Sequence, residues 1–141
     1  MIKVGIVGYG LSGRYLQAPF FQSNPDFELK YIVTSQEIDE KLFPKTKATK
    51  TIDDLLMDDD IDLISICSPS YTHFEYGKKC LEAGKHVLLE KPVTATFQET
   101  QILFQLANSK GLHLFVYQNR RFDSDFLTVK KVIESRVLGD I

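Results

Sequence analysis

The sequence predicts an α/β protein built on a doubly wound, mostly parallel, six-stranded sheet with helices on both faces. Three observations carry that reading. Short apolar runs rich in Ile, Val and Leu alternate with stretches of helical periodicity along the whole chain. The first run, with Ile2, Val4, Ile6 and Val7, reads as a strand buried on both faces. It passes directly into Gly8-Tyr9-Gly10-Leu11-Ser12-Gly13, a G-x-G-x-x-G. Polar motifs then stand where the strands should end: Thr34-Ser35, Ser68-Pro69, Glu90-Lys91-Pro92 and Gln118-Asn119. In an open parallel sheet, that rim is where ligands bind.

In chain order, a helix follows Gly13 to about residue 22, with Leu16, Phe20 and Phe21 on its buried side. Pro19 should kink or shorten it. Ser23-Asn24-Pro25-Asp26 is turn chemistry, and FELKYIV (27–33) is the second strand. Residues 39–51 are polar, with a short helical turn and then a weak edge strand at 48–50. Lys41, Lys45, Lys47 and Lys50 read there as solvated surface. Thr51 caps a short helix at 53–57, and Asp58-Asp59-Asp60 ends it as surface charge. A strand at 62–67 leads to a helix at 72–82, stopped by Ala83-Gly84. The strand at 86–89 runs into Glu90-Lys91-Pro92. The helix at 96–110 turns Ile102, Leu103, Leu106 and Ala107 to the core. The sixth strand, 112–117, ends at Gln118-Asn119-Arg120-Arg121, and a last helix at 124–137 is stopped by Gly139.

With 141 residues, 43% of them hydrophobic, the chain can bury one sizeable core without metals or disulfides. A net charge of −2 and a pI near 5.9 argue against a nucleic-acid partner. Cys67 and Cys80 fit no metal or redox spacing and read as buried free thiols, which points to a reducing cytoplasm. No apolar run approaches the ~20 residues needed to cross a bilayer. The first strand, at the N-terminus itself, leaves no room for a leader. His86 and His113 start strands and look structural, and no His, Cys, Asp or Glu set has metal-ligand spacing.

The glycine loop gives the first chemical assignment. Gly8 allows the tight turn, Gly10 lets a pyrophosphate approach the backbone, and Gly13 lets the helix pack close to the strand. The helix start offers its N–H groups to phosphate, so the motif predicts a dinucleotide site. An acid ending the second strand would mark NAD, but that strand ends Val33-Thr34-Ser35-Gln36. Glu37 comes too late. The hydroxyls of Thr34 and Ser35 suit a 2′-phosphate instead, and Lys41 can assist if its loop folds back. NADP(H) is therefore favoured over NAD(H).

Together these motifs resemble the glucose-fructose oxidoreductase / inositol dehydrogenase / MocA family of NAD(P)-dependent oxidoreductases. The segments that carry the resemblance are VGIVGYGLSG (4–13), SICSPSYTHFEYGKKCLEAGKHVLLEKP (65–92) and QNRRFDSDF (118–126). The last looks most like members acting on inositols and related polyols. The resemblance implies a Rossmann cofactor domain at 1–121. A helix at 122–141 would lead to a second, substrate-binding domain absent from this chain, so the fragment alone should turn over weakly or not at all. It implies hydride transfer between NAD(P) and a hydroxyl or carbonyl carbon of a sugar or polyol. A non-catalytic NAD(P)-sensing module of the same fold is the alternative.

The resemblance also gives roles to particular residues. Lys91, partly buried, is the catalytic candidate for substrate binding and acid–base work. Glu90 lies near the nicotinamide ribose or simply pairs with Lys91, and Pro92 fixes the backbone behind Lys91, through a cis bond in many members. Ser68 and Pro69 cover the ribose-phosphate region, and His73 either serves as the matching family histidine or is a plain histidine at a helix end. Tyr71 reads as an ordinary amphipathic aromatic, with leaning on the cofactor as the alternative. By their place at the end of the sixth strand, and not by the resemblance, Asn119 touches the nicotinamide side, and Arg120 faces a phosphate or a substrate oxygen or else forms a salt bridge to Asp123 or Asp125. The glycine-loop residues Gly8, Tyr9, Gly10, Leu11, Ser12 and Gly13, with Thr34 and Ser35, complete the cofactor set. Surface normally covered by the second domain would favour a homo-oligomer.

Overall fold

The computed structural model describes residues 1–140. Its elements are β1 (Ile2–Val7), a widened helical segment (Ser12–Gln17), α1 (Ala18–Ser23), β2 (Phe27–Val33), β3 (Lys47–Thr49), α2 (Asp53–Leu56) and β4 (Leu63–Ile66). They continue with α3 (His73–Glu82), β5 (His86–Leu89), α4 (Phe97–Ser109), β6 (Leu114–Val116) and α5 (Ser124–Glu134). Short 3₁₀ turns, Ser70–Thr72 and Asn119–Phe122, precede α3 and α5.

The six strands lie in the order β3-β2-β1-β4-β5-β6, and every pairing is parallel. The chain winds outward from β1 to β3, crosses back to β4 and winds outward again to β6. The crevice of a doubly wound sheet lies where that order reverses, outside the carboxyl ends of β1 and β4. Two cores cover the two faces. Ile64, Ile66, Leu81, Val87, Leu89 and Leu103 lie in one, under α2, α3 and α4. Val4, Ile6, Tyr9, Ala18, Leu29, Ile32 and Phe43 form the other, on the α1 face.

Local chemistry sets the boundaries. Thr96 caps α4 in a reciprocal box: its hydroxyl accepts from the Glu99 N–H, and Glu99 accepts from the Thr96 N–H, each at 3.2 Å. The Thr51 hydroxyl accepts from Asp53 N–H at 3.1 Å ahead of α2, as expected.

Several expectations are corrected. Pro19 does not simply kink a helix. The chain first forms a widened π turn, closed by Ala18 N–H donating to the Gly13 carbonyl, and α1 then starts with Pro19 in its first turn. A proline inside an unbroken helix would lose its bond and crowd the carbonyl four residues back, and the change of pitch avoids both. It also turns Phe20 outward, 65% exposed, and puts Gln17 and Ala18 inside. Ile102, expected on the core face of α4, is 44% exposed, while Leu103 and Ala107 are buried. Asp58 and Asp60 are not idle surface charge: both ion-pair with Lys30, and Asp60 also pairs with Lys3. The last helix ends at Glu134, three residues early, with Arg136 at positive φ before Gly139.

Candidate active site

The glycine loop forms the floor of the crevice. Gly8 has φ +98°, and a Cβ on Gly13 would stand 2.1 Å from the Gly8 carbonyl oxygen, so helix and loop touch backbone to backbone there. A Cβ on Gly10 would meet nothing within 4 Å. The crown of the loop therefore faces open space, which is the room a pyrophosphate needs. The groove above it, about 430 Å³, is lined by Gly8, Tyr9, Gly10, Val33, Thr34, Ser35, Gln36, Cys67, Ser68 and Pro69. The Tyr9 side chain itself is buried, edge-on to Phe43 at 6.4 Å, so only its backbone side is presented to a ligand. Leu11 is 73% exposed at the loop's shoulder.

A second groove of about 600 Å³ continues outward past Thr34 and Ser35. Gln36, Glu37, Glu40 and Lys50 share its lining with them. Lys41, which could have assisted only had its loop folded back, does not line it and keeps to its expected surface role; its backbone N–H is engaged by Asp39 at 2.9 Å. Lys50 takes that place because β3 pairs with β2 in the register Val33↔Thr49, which sets residue 50 beside Thr34. Thr34 Oγ1 accepts from Gln36 N–H at 3.0 Å, closing the turn between the two grooves.

Three loops at the strand ends are tied together. His73, 1% exposed at the start of α3, sits between two carbonyl oxygens, Nδ1 2.8 Å from Pro92 and Nε2 3.0 Å from Ser68. It therefore joins the loop after β4 to the loop after β5, a buried role rather than a frayed helix end. The hydroxyls of Ser68 and Thr72 meet at 2.6 Å and steady the same turn. The glycine loop is joined to the β5 loop by Ser12, whose hydroxyl donates to Glu90 Oε1. Gln17 Nε2 donates to the same oxygen at 3.2 Å, and Lys91 N–H donates to Oε2 at 3.2 Å. Glu90 thus pairs with the glycine loop and not with the Lys91 ammonium.

Lys91, expected partly buried, is exposed, and the Lys91–Pro92 bond is cis. Tyr71 is 83% exposed. Arg120 pairs with Asp123 at 3.1 Å, the plainer of its two expected states, while Asn119 and Arg121 line an apolar hollow with Phe20, Leu88 and Tyr117. Cys80 is buried as expected, but Cys67, on the groove wall, is only half-buried. Loss of hydration pushes the Cys67 thiol up to about 12, with the nearby Glu90 charge adding to the effect, and burial alone does the same for Cys80. Among the described residues no group of His, Cys, Asp and Glu could hold a metal ion.

Sequence reading missed Gln17, Ser65 and Lys50. A lone glutamine on a helix looks solvent-facing. The available signal was Ser65, a hydroxyl in the middle of an otherwise apolar strand, which must find a partner when buried.

A doubly wound sheet with this groove at its switch point defines a dinucleotide-binding protein of the Rossmann class. Residues 2–118 match the family described as "Oxidoreductase family, NAD-binding Rossmann fold", within the glucose-fructose oxidoreductase / inositol dehydrogenase / MocA group, and the chain belongs to that family. It is 42% identical over 141 residues to scyllo-inositol 2-dehydrogenase (NADP(+)) IolW of Bacillus subtilis, covering 99% of this chain and 39% of that protein. Myo-inositol 2-dehydrogenase of Thermotoga maritima is 29% identical over 144 residues, covering 98% of this chain and 42% of that protein. The crystal structure of an oxidoreductase from Bacillus cereus superposes with a TM-score of 0.89 at 38% identity, over 100% of this chain and 41% of that one. The chain thus spans about two fifths of the length of these relatives. Among the described residues no helix is long and apolar enough to cross a membrane.

Proposed function

We propose that this chain is the cofactor-binding part of an enzyme that transfers a hydride between NADP(H) and a hydroxyl- or carbonyl-bearing carbon of an inositol-like polyol or sugar. The observation that carries the reading is the meeting of the glycine loop after β1 and the Glu90-Lys91-Pro92 loop after β5 across the end of the intervening β4, tied through Ser12 and Glu90. The dinucleotide, when bound, supplies the redox chemistry.

The chain's own residues bind and orient. The backbone of Gly8, Gly10 and Gly13 cradles the pyrophosphate, with Leu11 and the backbone of Tyr9 as its shoulders. Ser68, Pro69 and Tyr71 close over the ribose-phosphate region, and His73 holds that loop in place. Glu90 keeps one side free to accept from ribose hydroxyls. Lys91 donates from its ammonium to the substrate oxygen and exchanges the proton that leaves or joins it, with Asn119 and Arg120 flanking that end. Thr34, Ser35 and Lys50 offer donors to a 2′-phosphate and no acid stands at residues 33–36, although Glu37 and Glu40 bring opposing carboxylates to the same groove. The IolW relative carries NADP(+) in its name, which supports the preference, and two relatives named as inositol dehydrogenases support the substrate class.

In this reading α5 leads to a substrate-binding domain. The exposed Phe126, Val129 and Ile133 of α5 support a homo-oligomer, and the two free thiols support a cytoplasmic setting. The test is reduction of NADP⁺ by a panel of inositols and sugars, using protein that carries this chain within its full polypeptide. A cyclic polyol should support turnover. Lys91→Met should lower kcat at least about a hundredfold while leaving NADPH binding within about threefold. Full activity in Lys91→Met would refute the role of Lys91.

A further inference from the structure

We propose that Gln17 is a positioning residue. It locks Glu90 in place from beneath the glycine loop and so fixes the nicotinamide end of the groove. The inference rests on the dinucleotide reading above.

Gln17 is 2% exposed and Ser65 is fully buried. Their surroundings are largely apolar: Gln17 lines a hollow with Leu16, Phe20, Phe21 and Leu88, and Ser65 sits in β4 between Ile6 of β1 and Leu88 of β5. The Ser65 hydroxyl donates to Gln17 Oε1, and Gln17 Nε2 donates onward to Glu90 Oε1 at 3.2 Å, with Ser12 Oγ at 3.4 Å. The amide is the side chain suited to this place, because it accepts from a hydroxyl on one side and donates to a carboxylate on the other. An ionised carboxylate at residue 17 could only accept and would repel Glu90.

The widened turn is what aims it. Closing on Ala18 N–H to Gly13 carbonyl, the turn rotates residue 17 inward toward β4, while Phe20 swings out. Such widened turns recur at functional sites.

The consequence is pre-organisation. Ser12, Gln17 and the Lys91 N–H hold the Glu90 carboxylate by three donors before any ligand arrives. Of its roughly four lone-pair sites, about one is left for an incoming hydroxyl. Among the described residues no buried side-chain polar atom lacks a partner, so the relay is complete. The Glu90 charge also reaches the neighbouring Tyr117, raising its phenol in addition to the larger effect of burial.

The test uses two variants, Gln17→Met and the double variant Gln17→Met with Ser65→Ala, which removes both polar ends and leaves no orphan. Each is titrated with NADPH and with ADP, which carries only the adenosine half. NADPH affinity should fall roughly tenfold in both variants, the size of one charge-assisted hydrogen bond, while ADP affinity stays within about twofold. Equal loss for the two ligands means a general structural role and overturns the proposal. Unchanged NADPH affinity in the double variant overturns it as well. Failure of the unaltered chain to bind either ligand overturns the dinucleotide reading itself.

Discussion

The two rims of the sheet are both charged, but they use charge differently. At the amino ends, Lys30 pairs with Asp58 at 3.0 Å and Asp60 at 3.3 Å, and Lys3 pairs with Asp60 at 2.7 Å. Lys85, 5% exposed, donates to the Asp58 carbonyl at 2.8 Å, and Asp62 accepts from Lys3 N–H at 2.8 Å. At the carboxyl ends, Lys50, Lys91 and Arg121 make no ion pair among the described residues; Lys50 and Arg121 border open grooves, and Lys91 is exposed at the end of β5. Charges that satisfy one another hold a fold together. Charges left facing a groove await a ligand. The same residue types therefore read as scaffold on one rim and as site on the other.

The largest expected effect that would break this contrast lies in the glycine loop. Gly13→Ala pushes a methyl against the Gly8 carbonyl and should cost about 3 kcal/mol of stability, read by urea unfolding. Gly10→Ala meets nothing in the folded chain and should leave stability within about 0.5 kcal/mol. It should nonetheless weaken dinucleotide binding more than about tenfold, because the methyl fills the approach of the pyrophosphate. Equal stability losses at the two glycines would contradict the assignment.

On the amino rim the effects are smaller and opposite in kind. Asp58→Asn should cost about 1 kcal/mol at neutral pH and leave ligand affinity unchanged, because the Lys30–Asp58 pair is only partly buried. Hydrogen bonds from Lys30 and from the Asp60 N–H hold the Asp58 carboxyl below its ordinary range. A depressed carboxylate stabilises above its unfolded pKa of roughly 4 and loses that contribution as pH falls through its folded value. The unaltered chain should therefore lose stability below about pH 4 more steeply than Asp58→Asn.

The smallest effect concerns the thiols. With both held up to about 12, neither Cys67 nor Cys80 should alkylate with iodoacetamide at pH 8 in the folded chain, and both should react once it unfolds. Native labelling of Cys67, half-buried on the groove wall, would show that its thiol ionises readily in the folded chain.

Much of this was legible in the sequence. Buried parallel strands announce themselves as apolar runs, so 27–33 and 86–89 match β2 and β5 residue for residue. The strand-end motifs followed from the strands. What escaped depended on geometry that periodicity does not encode. The widened turn at Ser12–Gln17 shifts the helical register, which exposed Phe20 and buried Gln17. Lys50 reached the groove through the β2–β3 register, and a weak edge strand gives no sequence sign of register. Ser12, placed in the cofactor set with the rest of the glycine loop, spends its hydroxyl on Glu90, a contact 78 residues away that no local pattern reveals.

The most direct test of the account is a fluorescence titration of the chain with NADPH and, separately, with NADH. The account predicts saturable binding of NADPH, tighter than NADH by about tenfold or more, which is roughly 1.4 kcal/mol. Absence of binding by both would contradict it, because the unpaired rim would then not be a dinucleotide site.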